Sequence, residues 1–153
     1  AENRQALKNR LSQLITFLQD DSRIDANHIS AIGYCFGGMC ALDMARNNLG
    51  LKAAISIHGL LFKPDYDLPN HYSAKIMALH GHKDPMVPPE QVADFQMEMK
   101  KSVDDWQMIM YGQGLHSFTL PTANDLTIGT IYNPLLDQRT TKFVNNFLEE
   151  IIL

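Results

Sequence analysis

The chain has 153 residues, the length of one ordinary domain. With 45% apolar and 20% charged residues it has globular composition, which excludes a disordered tail, a fibre and a disulfide scaffold. Thirteen Lys+Arg against seventeen Asp+Glu give a net charge of -4, and with no basic stripe neither nucleic acid nor an anionic membrane is a fitting partner.

In chain order, Leu7, Leu11, Leu14, Ile15 and Leu18 fall on one face of a helix predicted from about Glu2 to Asp20, with Arg4, Lys8, Gln13 and Gln19 elsewhere. His28 to Tyr34 reads as a strand, and Gly37 to Arg46 as a helix stopped by Asn47, Asn48 and Gly50. Leu51 to Ile57 reads as a strand apolar enough to be buried on both faces. Gly59 to Ser73, polar with two prolines, reads as a loop, and Lys75 to His80 as a third strand. Pro88 and Pro89 open a helix to about Ser102, with Val92, Phe95, Met99 and Val103 facing in. Trp106 to Tyr111 is the fourth strand, and a long loop follows up to Asn133. Asn133-Pro134 starts a last helix whose core stripe is expected to be Phe143, Phe147, Leu148, Ile151 and Ile152. Strands alternating with helices predict an α/β fold with a mostly parallel sheet, in which functional groups gather beyond the carboxyl ends of the strands.

Three candidates sit at such ends. Gly33-Tyr34-Cys35-Phe36-Gly37-Gly38 follows the first strand and has the spacing of a nucleophile elbow, a sharp strand-to-helix turn, with Cys in the nucleophile's place. Gly33 and Gly37 would relieve crowding at that turn, and Gly38 would let helix and strand lie close. The helix then aims its free N–H groups at Cys35, and the N–H of Phe36 supplies half of an oxyanion hole. Asp84 stands past the third strand in a proline-stiffened loop, where a carboxylate can orient an imidazole. His116, in a loop after glycines 112 and 114, is placed to act as a base. The order nucleophile, acid, histidine is that of α/β-hydrolases rather than of chymotrypsin or subtilisin. Tyr34, His58 and Phe118 are candidate substrate-binding residues.

A rival reading takes His80-x-His82-x-Asp84 as zinc ligands. It lacks a further His cluster downstream and leaves the Cys35 elbow unexplained, so no metal is assigned. Cys35 and Cys40, five apart, fit neither a zinc ribbon nor a redox CxxC pair. Cys40 reads as a small buried apolar residue. Thiols used so sparingly suit a reducing, cytoplasmic setting.

The pieces GYCFGG (33–38), SIHGLL (56–61), LHGHKDPMVPPEQV (79–92), GLHSFTLP (114–121) and IYNPLLDQR (131–139) resemble the dienelactone hydrolase family of α/β-hydrolases. The resemblance implies a three-layer hydrolase fold and an esterase or lactonase without cofactor. In it Cys35 is the nucleophile, His116 the base and Asp84 its orienting partner, acting through an acyl-thioester. Members that take dienelactone hold its carboxylate with arginines, one shortly after the histidine. Here Thr119 and Leu120 occupy that stretch and no Arg follows His116 until Arg139, which points to an uncharged or different ester. The family's sheet has further strands before the elbow, which supply the second oxyanion donor. Four strands are found here, so the chain reads as the C-terminal part of one hydrolase domain of roughly 230–250 residues, compatible with a single domain. The elbow strand is then an exposed sheet edge, a route to self-association. The contrasting reading is a non-catalytic or redox-regulatory α/β module whose thiol is reactive or merely structural.

Overall fold

The computed structural model describes residues 4–152, and the expected helix start at Glu2 lies outside them. Four strands, β1 (Ser30–Tyr34), β2 (Ala53–Ile57), β3 (Lys75–Gly81) and β4 (Trp106–Tyr111), form one parallel sheet in the order β1-β2-β3-β4. Helices α1 (Arg4–Gln19), α2 (Phe36–Arg46), α3 (Pro89–Ser102) and α4 (Pro134–Ile152) complete the layers. The loop expected before α4 also holds a small antiparallel hairpin, β5 (Asn124–Asp125) and β6 (Thr130–Ile131). Two-residue strands are too short to show an apolar alternation.

Side-chain alternation along each strand sorts the core into two halves. Ala54, Ile76 and Ala78 face α1, α2 and α3, packing with Ile15, Leu42, Phe95 and Met99. Ala53, Ile55, Ile57, Met77 and Leu79 face α4, packing with Leu136, Val144 and Phe147. All five residues of β2 are buried, as its unbroken apolar run predicts for a strand covered on both faces. The sheet thus lies between three helices and one, the three-layer arrangement of α/β-hydrolases. At the free edge of β1, Ile32 and Tyr34 are exposed.

In two helices the inward stripe departs from expectation at single positions. In α4 the inward stripe runs Leu136, Thr140, Val144, Phe147, with Leu148 and Ile151 partly packed. Phe143 is 41% exposed and Ile152 78% exposed. Phe143 stands about 100° round the helix from Val144, which carries it off the buried face. In α1, Leu11, Ile15 and Leu18 pack inward as expected, and Leu14 alone of that stripe is exposed, beside buried Ile15.

Arg4 is the larger departure: it is buried and forms a two-pronged ion pair with Asp43 of α2. Arg46, fully buried, bonds Asp43 and Glu98 of α3 as well as the carbonyls of Leu61 and Phe62. Buried charges persist only when paired and hydrogen-bonded in this way. The network ties α1, α2, α3 and the loop after β2 together behind the sheet.

Candidate active site

The elbow is built by close backbone contacts. Cys35 sits between β1 and α2 with φ 56° and ψ -121°, a left-handed conformation that a side-chain-bearing residue adopts only under constraint. Its N–H donates to the carbonyl of Ile57 in the neighbouring strand at 3.1 Å. A Cβ on Gly33 would lie 1.9 Å from the Gly37 carbonyl oxygen, and one on Gly38 would lie 2.6 Å from Ser56 Oγ and 2.9 Å from Gly59 Cα. Those two glycines therefore let α2 descend onto the sheet, which projects Cys35 beyond the strand end. Gly37 differs from expectation: a Cβ there would meet nothing within 4 Å, because it points away from the turn. Phe36 opens α2, and the first N–H groups of a helix have no intrahelical acceptor.

The loops after β3 and β4 are locked together. Gly81 and Gly114 approach so closely that a Cβ on Gly81 would lie 2.5 Å from the Gly114 carbonyl oxygen. The N–H groups of His82 and Lys83 donate to the carbonyls of Tyr111 and Gly114. Asp84 is buried, and its Oδ1 accepts the Met86 N–H at 2.8 Å. His116 is clamped by the β5–β6 hairpin: its N–H donates to the Gly129 carbonyl, and its own carbonyl accepts from Ile131.

These supports bring three distant residues into one line of hydrogen bonds. Cys35 Sγ lies 2.6 Å from His116 Nε2, and His116 Nδ1 lies 2.8 Å from Asp84 Oδ2. His116 and Asp84 are both buried, while Cys35 is half-buried. Burial by itself would push His116 down. Its hydrogen bonds to Asp84 and Cys35, with the charges of both, outweigh that and hold it above the ordinary 6.5.

His58 stands beside this line, its ring centroid 5.4 Å from that of His116. It has φ 39° and is 3% exposed. Nε2 bonds Thr119 Oγ1 at 2.8 Å, and Nδ1 is buried with no hydrogen-bond partner. Burial, then the neighbouring His116, push it down to about 4, so the ring is neutral near pH 7. The sequence marks Thr119 only as standing where an arginine is missing, since a contact with His58 across 61 residues leaves no local signal.

The other expected neighbours divide. Tyr34 is 53% exposed, its ring 5.9 Å from that of His58. Phe118 is fully buried, edge-on to His58 and to Tyr111. It therefore buttresses His58 from behind and does not line an open surface. His80, His82 and Asp84 do not converge: His80 is buried, His82 is exposed, and Asp84 is engaged with His116. His80 lies within β3 while His82 and Asp84 lie in the loop beyond it, and the three do not form a converging group, which corrects the rival zinc reading. Cys40 is half-buried rather than buried, and burial followed by nearby Asp43 pushes its thiol up.

A strained nucleophile-type turn after one strand, with acid and histidine loops after the two strands beyond β2, defines an α/β-hydrolase. Over residues 1–152 the chain matches the model of the dienelactone hydrolase family, and it belongs to that family. It is 34% identical to the uncharacterized protein K02A2.1 of Caenorhabditis elegans over 148 residues, 94% of this chain and 93% of that one. Among solved structures it is similar to m3DLH, with a TM-score of 0.87 and 31% identity over 97% of this chain and 62% of the other. It is also similar to a dienelactone hydrolase-like promiscuous phosphotriesterase from metagenomic libraries, with a TM-score of 0.86 and 28% identity over 97% of this chain and 63% of the other. The chain thus spans about three-fifths of the length of those two structures. Among the described residues no helix is long and apolar enough to cross a membrane.

Proposed function

We propose that the protein hydrolyses a small ester or lactone through a Cys35–His116–Asp84 triad, without a cofactor. The observation that carries this reading is the continuous hydrogen-bonded line from Cys35 Sγ through His116 to Asp84, anchored on a strained turn. Family membership supports the reaction class.

In this mechanism His116 Nε2 takes the Cys35 proton, and the imidazolium that forms is stabilised by Asp84. The sulfur attacks the carbonyl carbon, and the resulting oxyanion accepts from the Phe36 N–H at the start of α2. Collapse expels the alcohol, which takes the proton from His116, and leaves an acyl-thioester. Water, deprotonated by His116, then releases the acid and restores the thiol. The surroundings of Cys35 suit an uncharged substrate. The thiol's chain neighbours Tyr34 and Phe36 are exposed, and His58 is neutral near pH 7. The protein acts in the cytoplasm, where both thiols stay reduced, and self-association would use the free edge of β1.

A short-chain p-nitrophenyl ester tests the reading. Cys35→Ala and His116→Ala are each expected to lower kcat by at least about 10³, the scale seen when members of a catalytic triad are removed. Activity that survives both substitutions would sink the mechanism. Absence of activity on every small ester and lactone, with Cys35 no more reactive to iodoacetamide than a model thiol, would favour the non-catalytic reading.

A further inference from the structure

We propose that Cys35, His58 and His116 form a zinc-binding site that switches the thiol off reversibly. Among the described residues these three are the group whose metal-ligating atoms converge, one atom from each lying within 4.8 Å of the others. Tetrahedral zinc holds sulfur at about 2.3 Å and imidazole nitrogen at about 2.0–2.1 Å, which sets sulfur-to-nitrogen separations of about 3.6 Å. Cys35 Sγ must therefore draw back about 1 Å from His116 Nε2, its present partner at 2.6 Å, by that same geometry. Cys35 is half-buried at the strand end, so this is a side-chain adjustment at an accessible position.

The outer contacts are those a metal-binding imidazole uses. A ligating histidine characteristically donates its second ring N–H to a carboxylate or another oxygen, which fixes the ring and the tautomer. His116 does this through Nδ1 to Asp84, at 2.8 Å. His58 has a matching contact, with Nε2 2.8 Å from Thr119 Oγ1, which accepts when Nε2 carries the proton. In that tautomer Nδ1 of His58 keeps a free lone pair, and the atom is buried and unpartnered in a ring that is 97% buried. A buried nitrogen without a partner is costly, and the ester mechanism gives it no partner. A thiolate with two imidazoles suits zinc among the divalent ions, and three protein ligands leave the fourth position to water.

Coordination is balanced simply. The S–H bond of Cys35 breaks, sulfur gives an electron pair to Zn²⁺, and the proton leaves to solvent. No oxidant or reductant takes part. With zinc bound, the sulfur pair and the His116 Nε2 pair are both occupied, so neither attack nor proton transfer can proceed. The switching role rests on the ester-hydrolase reading; the coordination does not.

The two can be separated by experiment on the whole chain. Cobalt(II) is the spectroscopic probe, and zinc affinity is measured against a chromophoric chelator. One cobalt per chain is expected, with a thiolate-to-cobalt charge-transfer band that Cys35→Ser abolishes. His58→Asn is chosen because asparagine tolerates the positive φ at this position. It should weaken zinc at least about tenfold, and Thr119→Val, which removes only the outer contact, by about 10-fold or somewhat more. Zinc should inhibit ester turnover at the concentration that fills the site, with recovery on chelation. No charge-transfer band in the wild type, or zinc affinity unchanged in both folded His58→Asn and Thr119→Val, overturns the site. Should the protein show no esterase activity, the ester reading fails while the cobalt spectrum still decides the coordination.

Discussion

Two buried histidines with rings 5.4 Å apart hold protons with opposite tendencies. His116 is held above the ordinary value and His58 is pushed down to about 4. For both, burial is the largest influence and acts downward. The difference lies in what each ring touches. His116 bonds a carboxylate and a thiol, and His58 bonds one neutral hydroxyl. Position alone therefore does not make a base. Two titratable neighbours pushed apart by their surroundings are what acid–base chemistry needs, and here only one of them has an anion behind it.

The largest effect expected from breaking this contrast comes from Asp84→Asn. The amide keeps the size of the carboxylate but removes its charge and its preference for Nδ1–H. Burial of His116 is then unopposed by that charge, so its titration by NMR should fall and approach the behaviour of His58. On the ester-hydrolase reading, kcat should drop by about 10³–10⁴, as when a carboxylate no longer fixes the catalytic tautomer. The stability change has a definite sign. A folded-state value raised above 6.5 gives stabilisation that is complete below 6.5 and lost as pH rises through the raised value. In Asp84→Asn that alkaline loss should vanish. If His116 keeps its raised value in the variant, Asp84 is not what distinguishes the two rings.

The His116 side of the comparison was more legible in the sequence than the His58 side. Cys35 is framed within six residues by Gly33 and Gly38, and a turn that tight is a local event that composition can signal. Asp84 and His116 each follow a recognisable strand, so topology alone carries them to one end of the sheet. His58 could be named as a neighbour, but its state depends on Thr119, Phe118 and His116, all brought in by the loop after β4. Phe118 is a candidate substrate-binding residue in the sequence, and only packing shows it buried edge-on to His58. Arg4 was similarly opaque: a lone arginine on a helix reads as solvated until Asp43, 39 residues on, is found beside it. The turn of α4 depends on which of two adjacent apolar rows meets β2 and β3, and sequence periodicity fits both rows almost equally well.

A smaller effect should follow from His58 itself. Its folded value of about 4 against an ordinary 6.5 means that, between those pH values, the unfolded chain binds more protons than the folded one. Stability therefore rises with pH from 4 to 6.5 on this account and is level above 6.5. At about 1.4 kcal/mol per pH unit, the contribution is about 3 kcal/mol across that window. Asp84 acts on His58 in the opposite sense to burial and His116, and His80 adds slightly to the downward push. Denaturant melts of wild type and His58→Asn should show a stability difference that changes by about this amount as pH falls from 7 to 4. A difference independent of pH would mean that His58 is not held neutral by the fold.

The mildest test removes the one hydrogen bond that His58 makes. Thr119→Val keeps the branched shape and deletes the hydroxyl, which leaves both ring nitrogens of His58 without a partner. An unsatisfied buried polar group costs about 1–3 kcal/mol, and the low end applies here because Thr119 is only half-buried and water can partly replace its hydroxyl. Thr119→Ser retains the oxygen and should lose much less. The two variants differ by a hydroxyl at one atom from His58 and leave the Cys35–His116–Asp84 line untouched, so the raised value of His116 should be the same in both. Equal melting of the Val and Ser variants would show that Thr119 does not hold the ring. His58 would then owe its place to Phe118 and to its own backbone bond to the Leu79 carbonyl.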